Sequence, residues 1–166
     1  MSNVILIGMP ASGKSTVGVL LAKWLGYRFL DCDLLIQEKE GKLLHEIVAE
    51  KGVQSFLELE NHICAKIEAE RSVISTGGSA VYGAEAMAHL KSIGKVLYLK
   101  ADYDTLVERL GDYSHRGVVS LTATTLRELY EERTPLYEKY ADIVVDEKET
   151  EGDLTSTMLR CLELCK

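Results

Sequence analysis

The most constraining feature of the sequence lies at its start. An uninterrupted apolar run, Val4-Ile5-Leu6-Ile7, leads directly into Gly8-Met9-Pro10-Ala11-Ser12-Gly13-Lys14-Ser15, a match to G-x-x-x-x-G-K-[ST]. A continuous run is what a parallel strand covered on both faces requires. The residues that follow, Val17, Leu20, Leu21, Trp24 and Leu25, repeat at i, i+3, i+4, i+7 and i+8, and Gly26 ends the pattern. The motif therefore sits between a strand and a helix, the context that gives it chemical meaning. Its glycines let the loop curl so that backbone N–H groups point inward at an anion, and the helix N-terminus adds partial positive charge. In such a loop Gly8, Ala11, Ser12, Gly13 and Thr16 surround the phosphates of a nucleotide. Lys14 bridges the β- and γ-phosphates, and the Ser15 hydroxyl ligates Mg2+. ATP and Mg2+ are the expected cofactors.

Beyond the loop, short β-rich runs alternate with longer helical patterns. Val73-Ile74-Ser75, Val96-Leu97-Tyr98-Leu99 and Ile143-Val144-Val145 resemble the first strand, and Arg28-Phe29-Leu30 is a weaker fifth. Phe56, Leu59, Ile63 and Ile67 form a stripe on a second helix, and Leu126 to Tyr140 makes a third. This alternation predicts an α/β fold, a five-stranded parallel sheet flanked by helices, in one domain over residues 1–166.

Charge narrows the partners. The 166 residues include 19 Lys and Arg against 26 Asp and Glu, a formal net charge of −7. Nucleic acid and acidic membrane surfaces would repel such a chain, so its phosphate site must be a local basic pocket. Cys32, Cys64, Cys161 and Cys165 form no C-x-x-C pair, and His45, His62, His89 and His115 are scattered without ligand spacing. Free, mostly buried thiols, no basic leader and no apolar stretch of membrane-spanning length lead us to expect a cytoplasmic protein, monomeric, with a small-molecule partner.

Two further polar features fall where strands are expected to end. Asp31-Cys32-Asp33 follows Phe29-Leu30, and carboxyl ends of parallel strands face the ligand crevice. Two carboxylates there suit a magnesium ion and an acceptor hydroxyl; alternatively, Asp33 caps a helix starting at Leu34. Thr76-Gly77-Gly78-Ser79 closes the next strand, and its glycines allow a substrate to approach the backbone, or simply make a strand-to-helix turn.

Taken together these segments resemble the shikimate kinase family. The resemblance runs from Val4 to about Val145. It includes the phosphate loop, Phe29-Leu30-Asp31-Cys32-Asp33, Ser75-Thr76-Gly77-Gly78, Glu132-Arg133-Thr134-Pro135-Leu136-Tyr137-Glu138 and Ala141-Asp142-Ile143-Val144-Val145-Asp146. It implies a P-loop NTPase fold of the nucleoside monophosphate kinase type and transfer of the ATP γ-phosphoryl group to a shikimate hydroxyl. It also implies an acceptor-binding segment over residues 33–62 and a lid over 111–120. Within that pattern Asp31 holds the magnesium water shell beside Ser15, and Asp33 hydrogen-bonds the acceptor hydroxyl and takes its proton. Gly77 and Gly78 approach the acceptor, Arg133 pairs with its carboxylate, Arg116 closes on the phosphates, and Arg109 stacks on adenine. Lys14, Asp33 and Arg116 make up the catalytic set. Without the family pattern, Arg109 and Arg133, which follow Glu108 and Glu132, pass for solvated surface charges, and Arg116 for a plain loop residue.

The departures fall mainly on the acceptor side. The family carries a phenylalanine–arginine pair and a glutamate three residues after the arginine; here the string is Phe56-Leu57-Glu58-Leu59-Glu60. Leu57 stands where a second carboxylate-binding arginine is expected. Ser79 replaces the third glycine, and Gly117-Val118-Val119 follows Arg116 in place of proline and leucines. Lys51 is a candidate substitute cation. The alternatives are a kinase for a less acidic hydroxylated acceptor and a non-catalytic ATP-binding homologue. Intact Lys14, Ser15, Asp31 and Asp33 count against the latter. A dinucleotide oxidoreductase is disfavoured, because the first turn is a phosphate loop and not G-x-G-x-x-G.

Overall fold

Three of the five expected strands are short, largely buried segments covered on both sheet faces, and the two at the sheet edges are only partly buried. The computed structural model describes residues 3–111 and 118–165. The strands are β1 (Asn3–Ile7), β2 (Arg28–Asp31), β3 (Ser72–Ser75), β4 (Gly94–Lys100) and β5 (Ile143–Asp146). They make one all-parallel sheet in the order β2-β3-β1-β4-β5, with Leu6 opposite both Ser75 and Leu97. The helices are α1 (Lys14–Leu25), α2 (Cys32–Glu40), α3 (Leu44–Lys51), α4 (Val53–Cys64), α5 (Ala84–Ile93), α6 (Tyr103–Leu110), α7 (Leu126–Tyr140) and α8 (Leu154–Leu164).

Two apolar layers hold the sheet. Ile5, Ile7, Ile74, Val96 and Tyr98 face one, where they meet α5, α6 and α7. Val4, Leu6, Val73, Leu97 and Leu99 face the other, against Val17 and Leu21 of α1 and Met158 and Cys161 of α8. A third, smaller cluster joins Ile36, Ile47, Phe56 and Leu57 of α2–α4 to Val119. Gly26 ends α1 in the left-handed conformation, φ 65°, as the sequence predicts. Trp24 departs from the expected stripe: it is 64% exposed and lies outside the core. Its neighbours Leu21 and Leu25 already meet the sheet layer, and a helix face one stripe wide has no room for the indole as well. Ile67 is buried but follows the end of α4 instead of extending it.

The strand order decides where chemistry can occur. β1 is central, so its carboxyl end opens onto β2 and β3 on one side and β4 and β5 on the other. Ligands of open α/β sheets bind at such a switch point. No helix among the described residues is long and apolar enough to cross a membrane.

Candidate active site

The loop between β1 and α1 takes its shape from backbone sign changes. Ala11 (φ 64°) and Gly13 (φ 88°) are left-handed, so successive N–H groups converge into an anion-binding concavity. The Lys14 ammonium is folded over this loop, donating to the carbonyls of Gly8 and Met9, each at 2.8 Å. Burial pulls its pKa down to about 8, against the attraction of Asp33.

Ser15 turns toward β2 and β3. Its hydroxyl donates to Asp31 Oδ2 at 2.7 Å and lies 3.2 Å from the Ser75 hydroxyl. The other Asp31 oxygen, Oδ1, accepts from the backbone N–H groups of Asp33 (2.9 Å) and Leu34 (3.3 Å). Asp31, not Asp33, is therefore the helix cap, and α2 begins at Cys32, two residues before the Leu34 start considered from sequence. That leaves Asp33 free for other work. Its carboxyl is pushed up to about 6, by burial first and by the neighbouring Asp31 charge second, while Lys14 opposes both.

A cleft of about 370 Å3 runs along this edge of the sheet, lined by Ala11, Gly13, Lys14, Ser15 and Thr16 on one wall and Asp33, Thr76, Gly77, Gly78 and Arg133 on the other. Gly8 and Ser12 lie beneath the loop, fully or nearly out of reach of solvent. A Cβ on Gly77 would sit 2.6 Å from both Asp33 Oδ1 and Glu60 Oε1, and one on Gly78 would sit 2.9 Å from Arg133 Nη1. A side chain at either position would have to displace these groups. Tyr137 fixes the second glycine by donating to the Gly78 carbonyl at 2.6 Å.

Arg133 is no surface charge. It is 1% exposed, and among the described residues it forms no direct ion pair with a carboxylate. Its Nη2 donates to the Val119 carbonyl and its Nε to the Tyr82 hydroxyl at 3.3 Å. Arg109 lies at the far end of the cleft. It reaches the Ala11 carbonyl (3.2 Å), the Gly152 carbonyl (3.1 Å) and the buried carboxylate of Glu147, whose Oε2 is 2.8 Å from Nη2. Arg116 and most of the expected lid, residues 112–117, lie outside the described residues. Lys51 does not replace the missing arginine: its ammonium pairs with Glu40 at 2.7 Å and lines no part of the cleft.

Glu60, to which sequence reasoning gave no role, is 1% exposed. Its Oε2 accepts from the Ser79 hydroxyl at 2.6 Å, and Oε1 has no partner among the described residues. Burial raises its pKa to about 7, with Asp33 adding to the rise and the Ser79 hydrogen bond opposing it. Leu57, at 8% exposure, packs into the apolar cluster with Ile36, Ile47 and Val119. Of the departures noted in the sequence, Ser79 thus meets the Glu60 carboxyl as its hydrogen-bond donor, and Leu57 joins the neighbouring apolar cluster. One signal for the buried Arg133 was present in the sequence: Leu126, Leu129, Arg133 and Tyr137 share one helical stripe, and all four are buried.

Ser15 and Asp31 offer a hydroxyl and a carboxylate side by side. Among the described residues no group of three or more His, Cys, Asp or Glu is placed to hold a metal ion by itself. That donor set suits a magnesium ion, which keeps several waters and takes one or two protein oxygens beside substrate phosphates. Lys14, Asp33 and Arg133 converge on one cleft with a phosphate loop at one end, an arrangement built to align a phosphate donor with a small anionic acceptor.

The chain is similar to known proteins over most of its length. The family model described as shikimate kinase matches residues 10–163. A shikimate kinase of Persephonella marina is 37% identical over 153 residues, covering 92% of this chain and 91% of its own. One from Clostridium botulinum (strain Okra) is 40% identical over 148 residues, 87% of each chain. Among solved structures, the shikimate kinase of Acinetobacter baumannii in complex with shikimate superposes with a TM-score of 0.86 at 29% identity, covering 99% of this chain and 92% of its own. The Aquifex aeolicus shikimate kinase gives 0.79 at 32% identity, with 96% and 94% covered. The chain belongs to the shikimate kinase family.

Proposed function

We propose that the protein transfers the γ-phosphoryl group of ATP to a hydroxyl of shikimate, giving shikimate 3-phosphate. The observation that carries this reading is the convergence of Lys14, Asp33 and Arg133 on the one cleft that the phosphate loop opens into. Family membership and the likeness to a shikimate-bound enzyme support it.

The division of labour follows from position. The loop N–H groups and Lys14 hold the β- and γ-phosphates and neutralise the charge that develops between them. Ser15 and Asp31 would hold a magnesium ion, which would supply further charge neutralisation to the phosphates. Residues 33–62 form the acceptor side. Asp33 accepts a hydrogen bond from the attacking hydroxyl and takes its proton, for which a carboxylate ionised from about pH 6 upward is suited. Arg133 pairs with the acceptor's carboxylate, and Gly77 and Gly78 let the acceptor ring lie against the backbone. Arg109 packs on the adenine, and Arg116, in the lid over 111–120, closes on the phosphates. The protein acts in the cytoplasm as a monomer, in aromatic amino acid synthesis.

A second reading is favoured by Leu57, which leaves the acceptor site one arginine short: the same transfer to a less acidic hydroxylated acceptor. One assay separates the two. ADP release by purified protein with Mg·ATP is followed with shikimate and, in parallel, with polyols, sugars and other hydroxy acids. Saturable turnover on shikimate at micromolar to millimolar concentration supports the first reading. Silence on shikimate with turnover on another acceptor refutes it and establishes the second.

A further inference from the structure

An arginine that must grip a planar carboxylate needs its fork aimed, not merely present. Arg133 lies on α7 with one guanidinium edge turned away from the cleft, and that edge is met by a phenol. Its Nε donates to the Tyr82 hydroxyl at 3.3 Å, and Tyr82 in turn donates to Glu132 Oε1. The second Glu132 oxygen accepts from the Thr122 hydroxyl at 2.9 Å. The direction of this chain is fixed by its members. A phenol has one proton; with that proton on Glu132, only lone pairs remain to face the arginine. Burial first, and the bond to Glu132 second, hold the Tyr82 phenol above its ordinary pKa, so it stays protonated. Nη2 is engaged by the Val119 carbonyl, and Nη1 lies on the cleft wall beside Gly78. Tyr82 itself comes directly after the glycine turn, at the end of the 3-10 turn Ala80–Tyr82.

We propose that Tyr82 and Glu132 are positioning residues for Arg133, the phenol bracing the Nε edge and the carboxylate bracing the phenol, so that the remaining edge faces the carboxylate of the acceptor. The proposal rests on the reading of Arg133 as the acceptor's partner. The interposed phenol has a consequence of its own. A carboxylate in direct contact with Arg133 would compete with the acceptor for the guanidinium, whereas Glu132 orients it through a neutral hydroxyl and leaves its charge available. Glu132, which the sequence presents as a surface charge beside its arginine, becomes part of the acceptor site one bond removed.

Steady-state kinetics on Tyr82→Phe, Glu132→Gln, their double variant and Arg133→Met test this. Tyr82→Phe and Glu132→Gln are each expected to raise KM for shikimate about tenfold, with kcat and KM for Mg·ATP within about twofold of the parent. The double variant should be no worse than the weaker single, because the two residues act in one chain. With the uncharged amide of shikimate as acceptor, the parent and both single variants should have the same KM. A merely structural role would instead raise KM for ATP and for the amide together. If Arg133→Met raises KM for shikimate while both single variants leave it unchanged, the positioning proposal falls and the reading of Arg133 stands. An unchanged KM in Arg133→Met overturns both. Should Tyr82→Phe fail to fold, as judged by its melting transition, Glu132→Gln carries the same test.

Discussion

Replacing Leu57 with arginine would restore the residue the family places there, and the structure allows its consequences to be worked through. The leucine is 8% exposed in a small apolar cluster, so removing it costs about 1.5–3 kcal/mol, less whatever the arginine stem recovers. One helical turn on lies Glu60, whose pKa is raised from 4.5 to about 7, chiefly by burial. A carboxyl raised in this way contributes its full stability below pH 4.5 and loses it as pH rises through 7, a loss of roughly 3 kcal/mol when complete. A guanidinium three residues away offers Glu60 a counter-ion, returns its pKa toward the ordinary range and recovers much of that loss above pH 7. Leu57→Arg should therefore be clearly destabilised at pH 5 and nearly neutral at pH 8. The gap in melting temperature between variant and parent should narrow by about 4–8 °C across that interval. In the ADP-release assay at saturating Mg·ATP, a second arginine on the acceptor's carboxylate adds about 1.5–3 kcal/mol and lowers KM for shikimate about tenfold to a hundredfold. If the variant melts near the parent at pH 8 and its kcat/KM for shikimate is unchanged or lower, the account of Leu57 as the missing carboxylate ligand is wrong.

The remaining predictions concern the groups already in place. The pH profile of kcat/KM for shikimate should be bell-shaped, rising through about 6 as Asp33 ionises and falling beyond about 8 as Lys14 loses its proton; a flat profile from pH 5 to 9 would remove both from their roles. Ser79→Ala deletes the hydroxyl that donates to Glu60 at 2.6 Å. It should cost about 1.5–3 kcal/mol at pH 8, where the carboxylate is charged, and less at pH 5, measured by denaturant unfolding; equal losses at both pH values would show that the hydroxyl does not stabilise the charge.

The parts of the molecule legible in the sequence are those specified locally. Four strands appear as short apolar runs and the fifth, Arg28–Asp31, as a weaker one, and the phosphate loop is a contiguous motif. The Leu126–Tyr140 helix carries its own start signal, with Thr125 and Glu128 bonded to each other's backbone N–H in a capping box. What escaped depends on contacts across many residues. Glu60 meets Ser79, Tyr82 meets Glu132, and Arg109 meets Glu147, and no spacing rule links the members of any pair. Asp31 and Asp33 are two residues apart and equally able to cap; only the position at which β2 ends decides that Asp31 turns inward to the helix and Ser15. Trp24 was misplaced for the converse reason, since periodicity marks which face a residue shares and not how much of the sheet is left to cover it.

This contrast between local and distant specification also explains the pattern of the departures. The phosphate loop is one contiguous segment, Gly8 to Thr16, where almost any change would disturb the loop itself. The opposite wall of the cleft is assembled from α2–α4, the glycine turn, α7 and the segment around Val119, so a change in one can be accommodated by another. Leu57 and Val119 belong to the same apolar cluster, and the carbonyl of Val119 holds Arg133. Ser79 supplies the donor that Glu60 receives. The hydroxyl at 79 and the valine at 119 thus each touch a buried charged residue, Glu60 and Arg133 respectively, and Leu57 shares an apolar cluster with Val119. Arginine at 57 would meet a Glu60 already bonded to Ser79, and the two donors would share one buried carboxyl. Two of the departures are therefore tied to the buried charges: Ser79 keeps Glu60 partnered, and the Val119 carbonyl holds Arg133.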